Sequence, residues 1–274
     1  MSMLGGVARA FTQFTIMVWA HSKRAWRMRY NLVNWAIIDA LWLLIFVFAG
    51  LAFTPPGDYS EVVPVLFFSV VMWSLMSTPV WSIGNWIKFY VAIGLMDEVE
   101  ASGASHTLFL ATRAIPSLAI SLISSLGVGA MLYYSTGVNI FTVSNPPLLA
   151  LSLLMLALMS TLYALGLAFI GLKLKVPAPS LDVMNLAMFF VGGVAVDVET
   201  LIWPLRIVAV ITPYSHPAEI MRYAVAGDRP YLGLQGELLA SLLFLFLLTV
   251  FVALTRHVAY SDYRRMGPRG VGLT

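Results

Sequence analysis

Six apolar segments occupy most of the chain, and the lysines and arginines between them fall almost wholly on alternate sides. A helix rises 1.5 Å per residue, so a hydrocarbon core about 30 Å thick is crossed by roughly 20 apolar residues. Five runs come close to or exceed that length: 35–53, 62–83, 115–136, 148–171 and 238–254. A sixth, 183–196, is short; it stops at Asp197 and is followed after Pro204 by another apolar piece ending near Ile211. The basic residues decide whether it crosses. Five precede Trp35, none lies in 54–61, two lie in 84–114, none in 137–147, two in 172–182, and four follow Leu254. If 183–196 crosses, all thirteen share one face and only Arg206, Arg222 and Arg229 lie on the other. Without that crossing the basic tail would face outward, against the tendency of positive segments to stay in the cytoplasm.

The expected fold is therefore all-α: six transmembrane helices in the plasma membrane with both termini cytoplasmic. The fifth span should extend back to Leu181, and residues 197–227 should dip into the membrane as a re-entrant helical hairpin before the last span. Non-helical backbone at that depth has to be sheltered by protein, because lipid offers its amides no partner.

Only 11% of the residues are charged, against about 25% in a soluble domain. No stretch remains for a separate globular unit, so 1–274 reads as one transmembrane domain: an interfacial helix in 1–34, spans within 35–254 and a tail in 255–274. Val7, Phe11, Phe14, Val18 and Trp19 recur at helical spacing, followed by His21, Lys23, Arg24, Arg27 and Arg29 with Trp26 and Tyr30 among them. That pattern suits an amphipathic helix lying on lipid headgroups; a partly ordered basic tail is the alternative. The pI near 9.2 has the same explanation, and points to membrane lipids rather than nucleic acid. The first long apolar run begins too late for a cleaved signal peptide. Cysteine is absent, which excludes disulfides, thiol catalysis and thiolate metal sites.

Little chemistry is available to the chain alone. A phosphate-cradling loop needs a Lys followed by Ser or Thr after a spaced glycine pair, and none of Lys23, Lys88, Lys173 and Lys175 fits. An intramembrane protease would need a zinc-binding His pair or an activated Ser; the histidines at 21, 106, 216 and 257 are scattered, and no Gly-x-Ser-x-Gly occurs. No catalytic residue, metal ligand or cofactor site is expected. Asp39 is the one carboxylate well inside a span. Four residues past Trp35, it can reach water or a base such as Arg29, which suits a structural or subunit-contact role; proton coupling is the sharper alternative. Residues 84–114 form the longest inward connection between spans, with Trp86, Lys88, Phe89 and Tyr90 ahead of Asp97, Glu98 and Glu100, then Gly103. They make either a solvated surface helix or one that docks a partner.

The outward stretch 189–227, FFVGGVAVDVETLIWPLRIVAVITPYSHPAEIMRYAVAG, resembles the segment before the last span of type-2 ATP-binding cassette (ABC) permeases. The shared pattern is Gly193, Leu201 with Pro204, Pro213, Glu219 with Arg222, and Gly227. EVEASG at 98–103, with Pro116 downstream, looks like the family's coupling segment, and HVAYSDYRRMG at 257–267 like its basic tail. Ala104 stands where that family usually has Thr, and Asp197 and Val198 where a Pro is common.

The resemblance implies a permease subunit with no nucleotide site of its own. It would work with a separate ABC ATPase subunit, which holds ATP and Mg, and with a second permease subunit, identical or homologous. Trp86, Glu98, Glu100 and Gly103 would belong to the coupling segment; Pro204, Pro213, Glu219, Arg222 and Gly227 would form the outward gate. Spacing alone puts Glu219 and Arg222 on one helix face, where they can pair structurally or meet substrate. Spans rich in Phe, Met, Leu and Trp offer an apolar seam between two subunits, which suits an apolar or amphipathic cargo such as a drug, a lipid or a lipid-linked glycan; the alternative is that these side chains simply face lipid or pack on neighbouring helices. A secondary transporter or channel would need ionisable groups near the membrane midplane or inverted repeats, neither of which is evident; a non-transporting scaffold could share the topology.

Overall fold

The computed structural model describes residues 3–174 and 178–266, and among these every regular element is helical. The order is α1 (Met3–Arg27), α2 (Arg29–Leu51), α3 (Tyr59–Pro79), α4 (Asn85–Ala92), α5 (Leu95–Ala101), α6 (His106–Thr136), α7 (Pro146–Leu174), α8 (Ala178–Val191), α9 (Trp203–Val210), α10 (Ser215–Ala226) and α11 (Gly233–Met266). Five helices are long and apolar enough to cross a membrane: 29–51, 59–92, 106–136, 146–174 and 233–261. At 14 residues α8 is not among them; at 1.5 Å per residue it is about 21 Å long.

The helices overrun the apolar runs that announce them. The second crossing continues to Ala92 and so absorbs Trp86, Lys88 and Tyr90, which the sequence places in a connection; α6 begins at His106, nine residues before the predicted start. An apolar run ends at its first charge, whereas a helix ends only where its backbone is broken or capped. Gly94, with φ +73°, breaks the first of these, and the Ser105 hydroxyl, accepting from the Leu108 amide at 3.4 Å, caps the start of the second. Toward the C-terminus α8 stops at Val191, five residues short of the predicted end.

The second crossing is also irregular in the middle. Pro79 has no N–H to give the Leu75 carbonyl, and the hydroxyl of buried Ser160 on α7 donates to that oxygen instead, at 2.9 Å. The next five residues, Val80–Gly84, widen into a π-turn before α4 resumes, and the Ser82 carbonyl there accepts Nε of Arg113 from α6 at 2.6 Å. Both of these side-chain bonds come from neighbouring helices, so the irregular stretch is also tied to α7 and α6.

α7 is the hub, packed against α3, α6, α10 and α11. A β-carbon at Gly166 would overlap the Phe251 ring, which shows how closely α11 approaches it. α8 runs beside α3, with Leu181 against Gly84 and Phe189 5.0 Å from the Trp73 ring. The connections 52–58 and 137–145 gather at one end of the bundle, where Leu51, Tyr59 and Thr136 line a shared cleft. Ser144 and Asn145 there reach the carbonyls of Val225 and Ala224 at the end of α10, so the α10–α11 connection belongs to that end too. α1, α5 and the end of α11 lie at the opposite end, which the contact of Gln13 with the Gly103 carbonyl and of Tyr260 with Met96 fixes.

Candidate functional site

At the first end, α9 and α10 form a helical hairpin. Its outer arm, α9, is largely exposed, with Pro204 opening the helix where no N–H is needed and Trp203 71% accessible. The inner arm, α10, is buried from Ser215 to Met221 and beyond, packed on α3, α7 and α11. The turn between them carries Pro213 and places Tyr214 edge-on to Tyr163, past the midpoint of α7, while Gly227, at φ +84°, closes α10 in a left-handed cap. The turn between the two arms therefore packs against the middle of α7.

An arginine holds this return together. Arg222 pairs with Glu219 at 2.9 Å, one turn away on α10, and both side chains are almost fully buried. Its guanidinium also donates to the carbonyls of Gly193, Val194 (3.2 Å) and Val196 (3.2 Å), the backbone that follows α8. Those carbonyls have no helical partner, so the arginine serves as a C-terminal cap from outside the helix. Glu219 answers with the other charge: it accepts the Val198 amide at 3.3 Å and the Tyr231 amide at 3.2 Å. One ion pair thus ties the exit of α8, the hairpin and the entry to α11. Gly193 is required where it stands, with φ +69° and Val198, Ala209 and Ser215 all within 3.5 Å of any β-carbon. A second buried pair lies beside it: His216 Nδ1 is 2.7 Å from Glu237 on α11, its Nε2 is 3.1 Å from the Val210 carbonyl, and Glu237 accepts the Leu232 amide at 2.9 Å.

The opposite end has a different arrangement. Gly103 sits in the α5–α6 turn at φ +69°, with Glu98 exposed and Glu100 half-exposed, 3.9 Å from His106. α5 is bound to two long helices. His106 at the start of α6 contacts the Met96 carbonyl at 2.9 Å and stacks on Tyr260 of α11 at 4.5 Å. Trp86 belongs to another neighbourhood: on α4, its ring lies 4.4 Å from the Arg113 guanidinium and 5.8 Å from that of Arg24 on α1. Both arginines also donate to the hydroxyl of fully buried Tyr90. His21 completes the junction, contacting the Phe109 carbonyl at 3.0 Å; burial above all, with the nearby charges of Arg113 and Arg24 adding to it, lowers its pKa to about 4.

Asp39 lies near the middle of α2. Rather than reaching Arg29, its carboxylate accepts the Ser74 hydroxyl at 3.2 and 3.3 Å, and Ser74 also bonds Ser121, so the acid links α2, α3 and α6.

The structure thus gathers Glu98, Glu100 and Gly103 at one turn and Glu219, Arg222 and Gly227 on one helix, with Pro204 and Pro213 opening and closing the arm before it. Sequence reasoning missed the roles of Arg113 and Arg24 and the His216–Glu237 pair. Arg113 reads as a loop residue because it interrupts the apolar pattern, and Glu237 lies 21 residues from its partner at the start of another span. An arginine two residues ahead of a predicted span, with the apolar stretch LFLA at 108–111 just before it, is the signal that could have found the first.

Long apolar helices around polar knots of this kind define a multi-pass helical membrane protein. The family model of ABC-2 type transporters matches residues 12–226, from α1 through the whole of α10, and the chain belongs to that family. It is accordingly a membrane permease of the ABC class, a transmembrane subunit of the kind that lacks a nucleotide-binding site and works with an ABC ATPase subunit. No curated protein matches the chain significantly.

Proposed function

We propose that this chain is the membrane-spanning half of an exporter in the plasma membrane, moving an apolar or amphipathic substrate with ATP and Mg bound and hydrolysed on the separate ATPase subunit. The observation that carries the proposal is the family match across 12–226, which includes both the acidic α5 turn and the buried α10 return. In this reading α8 and the backbone to Val196 make a short fifth crossing, α9–α10 is the re-entrant hairpin, and both termini are cytoplasmic, as the distribution of basic residues favours. Irregular backbone at half depth is then sheltered by α3, α7 and α11, and its carbonyls by Arg222.

Glu98, Glu100 and Gly103 form the surface that meets the ATPase. The bonds of His106 and Tyr260 to Met96 supply the route inward: a push on α5 reaches the start of α6 and the end of α11 together. Trp86, gripped by Arg24 and Arg113, holds the adjoining α4 to α1 and α6 so that α5 moves against a fixed base. At the other end the Glu219–Arg222 pair keeps the outward gate shaped, with Pro204, Pro213 and Gly227 as its bends.

Two such subunits, identical or homologous, would enclose the passage. α2 and α11 present large apolar side chains outward, Trp42 54% and Phe246 63% accessible among them, which suits contact with lipid, a second subunit and an apolar cargo. Asp39, satisfied by Ser74, serves as an internal strut. The test is to purify the tagged chain from its host, identify the ATPase that accompanies it, and measure hydrolysis in proteoliposomes with candidate amphipathic substrates. Substrate-stimulated hydrolysis is expected. Transport by the isolated chain, with no nucleotide-hydrolysing companion, would overturn the reading.

A further inference from the structure

The junction of α1, α4 and α6 concentrates positive charge without an acid to balance it. Arg113 reaches in from α6 and Arg24 from α1, and both donate to one atom, the Tyr90 hydroxyl oxygen. Two cations that share a single acceptor are held close, and like charges at such range repel. Among the described residues no carboxylate pairs with either of them; their partners are neutral, namely the Ser82 carbonyl, the Tyr90 hydroxyl and the rings of Trp86 and Tyr90. The Tyr90 oxygen accepts from both guanidiniums, so its own hydrogen remains to be donated elsewhere. Buried His21 lies at the same place and is held neutral, which spares the site a third charge.

The position has a chemical meaning. α1 is amphipathic and leaves Trp19 and Trp26 exposed; it turns at Met28 into α2, the first apolar crossing, one helical turn beyond Arg24. Aromatic and basic side chains at that level belong to the headgroup layer of a bilayer. Arg24 is exposed and Arg113 half-buried, so the pair opens toward that layer rather than toward the core. A planar guanidinium fork matches the oxygens of a phosphate, and two forks facing one opening can share its three oxygens, which a carboxylate's two oxygens fill less completely.

We propose that Arg24 and Arg113, set around Trp86 and Tyr90, bind a phosphate group, supplied by the headgroup of an anionic phospholipid. This goes beyond the transport reading, because the site is read from its own geometry and needs no substrate or ATPase to be tested. Binding stabilises the contact of α1 with α4 and α6 by cancelling the repulsion between the two arginines.

The experiment titrates the full-length chain, in a neutral detergent, with phosphatidylglycerol, with oleate as an anionic amphiphile lacking phosphate, and with inorganic phosphate, reading bound lipid by native mass spectrometry and Trp fluorescence. Arg24→Gln should weaken phosphatidylglycerol binding about tenfold, as expected for loss of one charge-assisted fork. Arg113→Gln should do the same or more, but Arg113 also holds the Ser82 carbonyl and its loss can disturb folding; Arg24 is exposed and carries the decision. Arg27→Gln, exposed on the same helix, should leave binding within about twofold, since a lone surface charge contributes little. Oleate should bind weakly and without dependence on Arg24. If inorganic phosphate binds with the same dependence on Arg24, the site takes free phosphate and the lipid source is wrong. Equal losses in Arg24→Gln and Arg27→Gln, or none in either arginine of the junction, would overturn the site itself.

Discussion

Arg222 and Arg113 are both drawn off the surface into helix junctions, and both donate to backbone carbonyls of an irregular stretch, yet their surroundings differ. Arg222 faces Glu219 and three carbonyls, and Glu219 in turn is filled by two amides. Arg113 faces one carbonyl, one hydroxyl, two rings and a second arginine. The first junction is closed in charge: Arg222 has a carboxylate beside it and three backbone carbonyls in reach, and only its buried Nε is left without a partner. The second is open, with its charge balanced by nothing the described chain supplies. Charge that is paired internally marks a structural joint, and charge left uncompensated marks a place where something else belongs.

The comparison breaks most visibly at the closed junction. Replacing Arg222 by Met leaves Glu219 buried without its partner, which costs about 3–5 kcal/mol, and the variant should be lost as monodisperse protein in detergent. Arg222→Lys should fall between, since an ammonium cannot reach three carbonyls as a fork does. If Arg222→Met is as thermostable as the parent, the junction is not what holds the hairpin. Arg113→Gln strands no buried carboxylate, so its loss of thermal stability should be smaller, on the order of 1–2 kcal/mol.

The pattern extends to the uncharged joint between α3 and α7. Ser160→Ala leaves the Leu75 carbonyl without its substitute donor and should cost on the order of 1 kcal/mol, measured as a lower melting temperature. On the acidic turn the expected effect is on function instead: Glu100→Lys should suppress most substrate-stimulated ATPase activity of the reconstituted complex with expression intact, and unchanged coupling would remove α5 from the ATPase contact.

A different kind of effect, visible only as the pH falls, is expected at His21. Its folded pKa of about 4 lies below the usual 6.5, so above pH 6.5 both folded and unfolded forms are neutral and its burial goes unopposed. As pH falls from 6.5 toward 4, the unfolded chain takes up the proton first and stability declines. His21→Gln should flatten that part of the stability profile; an unchanged slope would mean that other groups set it.

How much of this was legible in the sequence follows from what each feature depends on. The helical membrane class and the long spans are written in apolar runs, because burial in lipid acts on residues one by one. Glu219 and Arg222 were legible too, being three apart on one helix. Arg113 is not: its meaning comes from Trp86 and Tyr90 on α4, which follows a π-turn that no hydropathy pattern encodes, and from Arg24 on α1. Glu237 likewise acquires a role only when the hairpin returns His216 to it. Helix ends are hidden for a related reason, since charges such as Lys88 end an apolar run without ending a helix.

The proposed topology puts the two junctions on opposite sides of the membrane. Because the chain has no cysteine, single substitutions can be labelled without background. Cysteines at Asp58, Asn139 and Asp228 should react with an impermeant maleimide on intact cells, and those at Ser22, Glu98 and Thr274 only after permeabilisation. Labelling of Asp228 and Glu98 positions from the same side, or of Ser22 and Thr274 positions from opposite sides, would contradict it.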